Sequence, residues 1–132
     1  MITDLTAALP HRWPMLLLDE VTELDPGTSL VARRTVTAGD PWCGPNGFPP
    51  YLVLESWLQA CAVLLPAGAD ILVGGLRGVH ATRAIQPGET VEHHTRVRYR
   101  RGDAALFTGT ASVGAETVLT VDQASIASTP RD

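Results

Sequence analysis

Phe48-Pro49-Pro50-Tyr51-Leu52-Val53-Leu54-Glu55-Ser56-Trp57-Leu58-Gln59-Ala60-Cys61-Ala62-Val63-Leu64-Leu65 decides how this chain folds. Two prolines open the stretch, where a helix tolerates missing N–H groups, and Pro66 closes it. Between them the residues are apolar on nearly every side, which predicts a buried helix that the rest of the chain wraps. At about fifteen residues it is too short to cross a bilayer. Glu55 and Gln59 interrupt the apolar run one turn apart, on a shared face. A carboxyl there is costly to bury unless it is paired, neutralised or used. The functional question therefore starts at Glu55.

Upstream, residues 38–48 form a loop dense in Gly and Pro that feeds directly into the helix, a place where function concentrates. Before it, Met15–Leu24 and Ser29–Thr37 read as two strands of a hairpin. Asp25-Pro26-Gly27-Thr28 is their turn: Pro presets one φ and Gly supplies the positive one. At the start, Thr3 or Asp4 is placed to cap a short helix carrying Ile2, Leu5 and Leu9, which ends at Pro10. Downstream, 67–70 is a turn and Ile71–Ile85 a strand interrupted at Gly74, Gly75 and Gly78. Gln86-Pro87-Gly88-Glu89 is a second turn. The strands Thr90–Arg101, Ala104–Val113 and Thr117–Ala127 follow, with a tail from Thr129. One long apolar helix followed by several strands joined by tight turns predicts an α+β domain, with a sheet curled around the helix.

At 132 residues, 45% hydrophobic and 18% charged, the chain is expected to fold as one globular domain, residues 1–132. Its net charge of −4 argues against general nucleic-acid binding. Cys43 and Cys61 do not make a disulfide framework. Cys61 reads as a small buried hydrophobe, and Cys43 as a plain loop cysteine without a base nearby in sequence. The N-terminus lacks the pattern of a signal peptide, so a cytoplasmic protein is expected. His93 and His94 point oppositely on a strand, and no zinc-type spacing occurs; neither a metal nor a cofactor is expected.

Three segments together resemble the FabZ/FabA-type 3-hydroxyacyl-carrier-protein dehydratases. They are Leu9-Pro10-His11-Arg12-Trp13-Pro14 with Met15–Asp19, the turn 23–27, and Phe48–Gln59 with Glu55 on the catalytic acid. Gln86–Glu89 matches a later turn. The resemblance spans most of the chain. It implies a hot-dog fold, a dimer, an acyl thioester in a tunnel at the dimer interface, and acyl carrier protein as the bearer of the substrate. Trp42, Phe48, Tyr51 and Leu52 are the residues it places along the substrate.

The departures narrow the reading. Such dehydratases carry a catalytic His just before the helix; here Trp42-Cys43-Gly44-Pro45-Asn46-Gly47 has none. His11 falls on the family's opening motif and is taken as structural. Pro50 stands where the family has a Gly whose N–H suits a thioester carbonyl. This pattern is similar to a divergent branch, the ApeP-like dehydratases of aryl polyene biosynthesis, which work beside a second dehydratase-like protein. Dehydration needs a base for the α-proton and an acid for the leaving hydroxyl. A carboxyl in an apolar helix would favour its protonated form and suit the acid role. Gln59 would position the hydroxyl or orient Glu55. A partner subunit would supply the His, making a heterodimer, with a homodimer as the alternative. Three rivals stay open: a buried carboxyl satisfied by backbone or partner helix, a non-catalytic scaffold or acyl-binding subunit, and a homodimeric thioesterase using Glu55 alone.

Strand 90–101 carries one further pattern. Alternation sends Val91, His93, Thr95, Val97 and Tyr99 toward the helix, and Glu92, His94, Arg96, Arg98 and Arg100 outward. The outward set is either an ordinary solvated face or, through Arg96, Arg98 and Arg100, a dock for an acidic carrier protein.

Overall fold

The computed structural model describes residue 2 and residues 4–66 and 69–130. Along the chain come β1 (Glu20–Asp25), β2 (Ser29–Thr35), α1 (Pro50–Val63), β3 (Ala69–Ala81), β4 (Thr90–Arg101), β5 (Ala104–Val113) and β6 (Glu116–Pro130). The six strands form one antiparallel sheet in the order β1-β2-β4-β5-β6-β3. α1 lies on the concave side of that sheet and packs mainly across β4. This is the α+β hot-dog architecture, an antiparallel sheet wrapped around one long helix.

Trp57 is the centre of the packing and is fully buried with Phe48, Phe107, Leu119 and Ile126. Its indole Nε1 donates to His94 O at 3.1 Å, so the ring is anchored to β4 as well as packed. Gly109 on β5 makes room for it. A Cβ there would overlap the His94 carbonyl oxygen and stand 3.1 Å from Trp57 Cζ2.

The sequence reading places the helix start, the turns 25–28 and 86–89 and both ends of β4 and β5 where the structure has them, and misses ends of the other strands. Residues 15–19 are not strand; β1 begins at Glu20. Leu17 and Met15 O are bonded to side chains of α1 instead of to a strand neighbour, and only at Asp19, whose N donates to Arg33 O at 2.8 Å, does the segment reach β2. The opening is a single turn rather than a helix: Leu9 N donates to Leu5 O at 2.9 Å and Asp4 Oδ1 accepts from Thr6 N at 3.1 Å. Ile2 leaves that turn to bridge Val21. Of the turn expected at 67–70, residues 67 and 68 lie outside the described residues, while Ala69 and Asp70 already belong to β3. β6 runs through Thr129 into the expected tail because it pairs with β3 along that length.

β4 departs from simple alternation. Val97 pairs with Phe107 but Tyr99 pairs with Leu106, so Arg98 is an extra, bulged residue. One extra residue reverses every side chain after it. Tyr99 is therefore 58% exposed on the outer face. Arg100 turns to the helix side, where its Nη2 donates to Leu64 O at 3.0 Å and caps the C-terminus of α1. The expected outward strip ends at Arg98.

Candidate active site on the open face of the helix

α1 is not wrapped on all sides. Leu52, Val53, Ser56, Trp57, Gln59, Ala60, Cys61 and Ala62 are buried. Tyr51, one turn before Glu55, is 70% exposed, and Leu54, Glu55 and Leu58 are partly open. At helical spacing these four make one stripe, apolar but for the carboxyl. The Glu55 side chain keeps 37% of its surface accessible, so a single chain does not enclose it as the apolar sequence predicts.

Two side chains on the buried flank of that stripe tie α1 to residues 15–17. Gln59 accepts from Leu17 N at 2.8 Å and donates to Met15 O at 2.8 Å. Its amide orientation is thereby fixed, and the same NH2 group reaches Glu55 Oε1 at 3.3 Å. Gln59 is only 1% exposed, and its amide is committed to the protein. This arrangement orients Glu55 and leaves little capacity for a substrate hydroxyl. Ser56 donates its hydroxyl proton to Leu17 O at 2.7 Å. With that proton spent, the 2.8 Å contact from His93 Nε2 to Ser56 Oγ has His93 as donor.

His93 is fully buried and stays neutral. Burial is the main cause, with the neighbouring His94 a lesser one, and together they push its pKa from 6.5 down to about 3. A His with a depressed native pKa adds nothing to the pH dependence above 6.5, where both states are neutral. As the pH falls below 6.5 the unfolded chain takes up a proton that the native chain refuses. Stability should then drop by up to about 1.4 kcal/mol per pH unit until about pH 3. Urea midpoints measured from pH 7 to 4 should fall more steeply for the native sequence than for His93→Asn. Equal slopes would put the acid sensitivity elsewhere.

His11 reaches the site from the other side. Its connector is held by Arg12, whose Nη1 donates to Leu9 O and His11 O, both at 2.8 Å. A turn follows, with Met15 N donating to Arg12 O at 2.7 Å. This brings His11 Nε2 to 3.8 Å from Glu55 Oε1. Burial lowers the His11 pKa below its ordinary value, and the Glu55 charge opposes that pull. The sequence reading took His11 as structural. Nothing local to 9–14 reveals the contact, which depends on how Gln59 draws the next residues over the helix.

The residues expected along the substrate separate. Tyr51 alone lies open beside Glu55. Phe48 is 0% exposed, held in the core with the Arg34 guanidinium 5.5 Å from its ring centre, and Leu52 is 8% exposed. Both are core residues of the chain: Phe48, ahead of the helix, is held by its bridge to Ile85, and Leu52 lies on the inward side of α1. Trp42 is half-buried, and its Nε1 donates to Pro14 O at 2.6 Å. It fastens the loop before α1 to the connector that carries His11. Asp40, paired with Arg34, braces the same loop and accepts from Trp42 N at 3.0 Å. Pro49 and Pro50 have no N–H, so Tyr51 supplies the first amide of the helix. Arg96 and Arg98 are exposed, unlike the tethered guanidinium of Arg100. A depression of about 670 Å³ between the β1–β2 hairpin and β4–β5 is lined by residues including Glu23, Asp25, His94 and Arg96. It lies apart from Glu55, whose surroundings are a face rather than a cavity.

A helix carboxyl on an open apolar stripe, in a hot-dog domain, is the arrangement that the resemblance to 3-hydroxyacyl-carrier-protein dehydratases implies. Comparison with known proteins gives the same class. The chain is 36% identical over 128 residues to the 3-hydroxyacyl-[acyl-carrier-protein] dehydratase FabZ of an Anaeromyxobacter species, covering 86% of this chain and 81% of that one. It is 36% identical over 112 residues to the FabZ of Chloroflexus aggregans, covering 76% and 78%. Its fold superposes on a chain of the dehydratase heterocomplex ApeI:P from Xenorhabdus doucetiae with a TM-score of 0.86, at 19% identity and 96% and 91% coverage. Residues 3–128 match the family model for ApeP dehydratase, and the chain belongs to this ApeP-like family.

Proposed function

We propose that this chain is a dehydratase subunit acting on 3-hydroxyacyl-carrier-protein thioesters in the cytoplasm, in polyene-type polyketide or fatty-acid synthesis. A second hot-dog subunit supplies the base. The observation that carries this reading is Glu55: oriented from behind by Gln59, open in front, and preceded by a loop without His. Glu55, as the acid, gives its proton to the 3-hydroxyl as the C–O bond breaks and water leaves. The partner's base takes the α-proton, and the electron pair released closes the 2,3 double bond.

Two surfaces support a partner. The Tyr51–Leu54–Leu58 stripe is apolar and open, and covering it would desolvate Glu55. β3 is an edge strand of thirteen residues with Leu72, Val73 and Leu76 exposed at 62%, 44% and 43%. Such an edge is an aggregation hazard unless another strand pairs with it. The ApeI:P neighbour is itself a dehydratase heterocomplex.

The test is water loss from a 3-hydroxyacyl-carrier-protein thioester, followed by mass, for the chain alone and with a dehydratase-like hot-dog protein that carries the family His. Dehydration that needs both supports the proposal. Full activity of the chain alone would overturn the partner's role, and release of free thiol would identify a thioesterase. Carrier docking is tested in the same assay. Arg96→Glu with Arg98→Glu should raise KM for the carrier-bound substrate severalfold and leave a pantetheine thioester unaffected. Equal effects on both substrates would remove the docking role.

A further inference from the structure

Two side-chain nitrogens face one oxygen of Glu55, one in hydrogen-bond range and one just outside it. Gln59 Nε2 stands 3.3 Å from Oε1, with its amide direction locked by Leu17 N and Met15 O. His11 Nε2 stands 3.8 Å from the same Oε1. Among the described residues the other ring nitrogen of His11, Nδ1, is buried with no hydrogen-bond partner. The ring's polar capacity therefore lies at Nε2, facing the carboxyl. Arg12, the next residue, turns its guanidinium to Leu9 O and His11 O.

We infer that His11 is a positioning residue of the active site, which together with Gln59 holds Oε1 and leaves Oε2 as the oxygen that passes the proton to the departing hydroxyl. This rests on the dehydratase reading above and adds a residue to it. The division of labour follows from the geometry. An oxygen that accepts from two N–H groups behaves as the carbonyl oxygen of a neutral carboxyl, so the acid proton resides on the other. Oε2 is also the oxygen without either contact. At 3.8 Å the ring is just outside hydrogen-bond range of Oε1, and its connector is held by Trp42 on Pro14 O and by the turn at Arg12, so this role requires the ring to close by under about 1 Å in the active complex. The carboxyl is then fixed in one rotamer at the moment of proton transfer, which lowers the barrier without changing how the acyl chain binds.

The experiment has two arms. In the first, the ring signals of His11 are followed by NMR titration in the purified chain, native and Glu55→Gln. Removing the carboxylate charge should move the His11 midpoint downward, since that charge favours the imidazolium. In the second, His11→Ala and His11→Gln are assayed in the active complex. His11→Ala should lower kcat about 10- to 100-fold with KM nearly unchanged. His11→Gln, which returns an N–H donor, should recover part of the loss. An unmoved midpoint together with an unchanged kcat in His11→Ala would overturn the inference. A shifted midpoint with no dehydration by any complex would uphold the pairing and refute the dehydratase reading instead.

Discussion

Glu55→Gln should lower kcat of the active complex by about 10²- to 10⁴-fold, the range supplied by a general acid. The substitution keeps the volume and keeps an oxygen for Gln59 Nε2 to donate to at 3.3 Å. What it removes is the transferable proton. Its effect on stability should be slight, because Glu55 is partly open and takes no part in the core. Parallel thermal melts of native and variant chains separate the two effects. An unchanged melt with a collapsed kcat identifies the acid. An unchanged kcat would leave this chain as a scaffold that shapes its partner's site.

Trp57→Ala should destabilise the chain by about 3–5 kcal/mol. For a domain of this size that corresponds to a fall in Tm of roughly 12–20 °C. The indole is wholly buried, and its Nε1–H satisfies the His94 carbonyl at 3.1 Å. Truncation opens a cavity against β5 and leaves that carbonyl without this donor. The ring fits only because Gly109 has no side chain. A thermal or urea melt decides the matter. A loss under about 1 kcal/mol would mean that the sheet collapses onto the helix and that Trp57 is not the centre of packing.

The sequence shows the framework of this fold more clearly than its site. α1 and the strands β4 and β5 are legible because their signals are local: prolines at a helix start, alternation along a strand, Gly-containing turns. Residues 15–19 mislead for the same reason. Met15-Leu16-Leu17-Leu18 looks like strand, yet Leu17 is bonded at both its N–H and its C=O to Gln59 and Ser56, residues far along the chain. Side chains standing in for a strand neighbour leave no periodic trace. Glu55 was legible as an exception within an apolar run. Its nearness to His11 was not, because it arises from the path of the connector. The burial of Leu52 beside the openness of Tyr51 is not legible either, because an all-apolar helix does not announce which face stays open.

The bulge at Arg98 absorbs one residue of chain length without disturbing the pairing on either side of it. Tyr99 stays opposite Leu106 and Arg100 opposite Ala105, so deleting Arg98 should leave both side chains on their present faces, with Arg100 still at the helix end. The face of a residue here is set by its partner on β5 and not by its place in an alternation counted from Thr90. An alignment that misplaces a gap here would compare side chains on opposite faces of the sheet, and conservation scored across it would be meaningless for both.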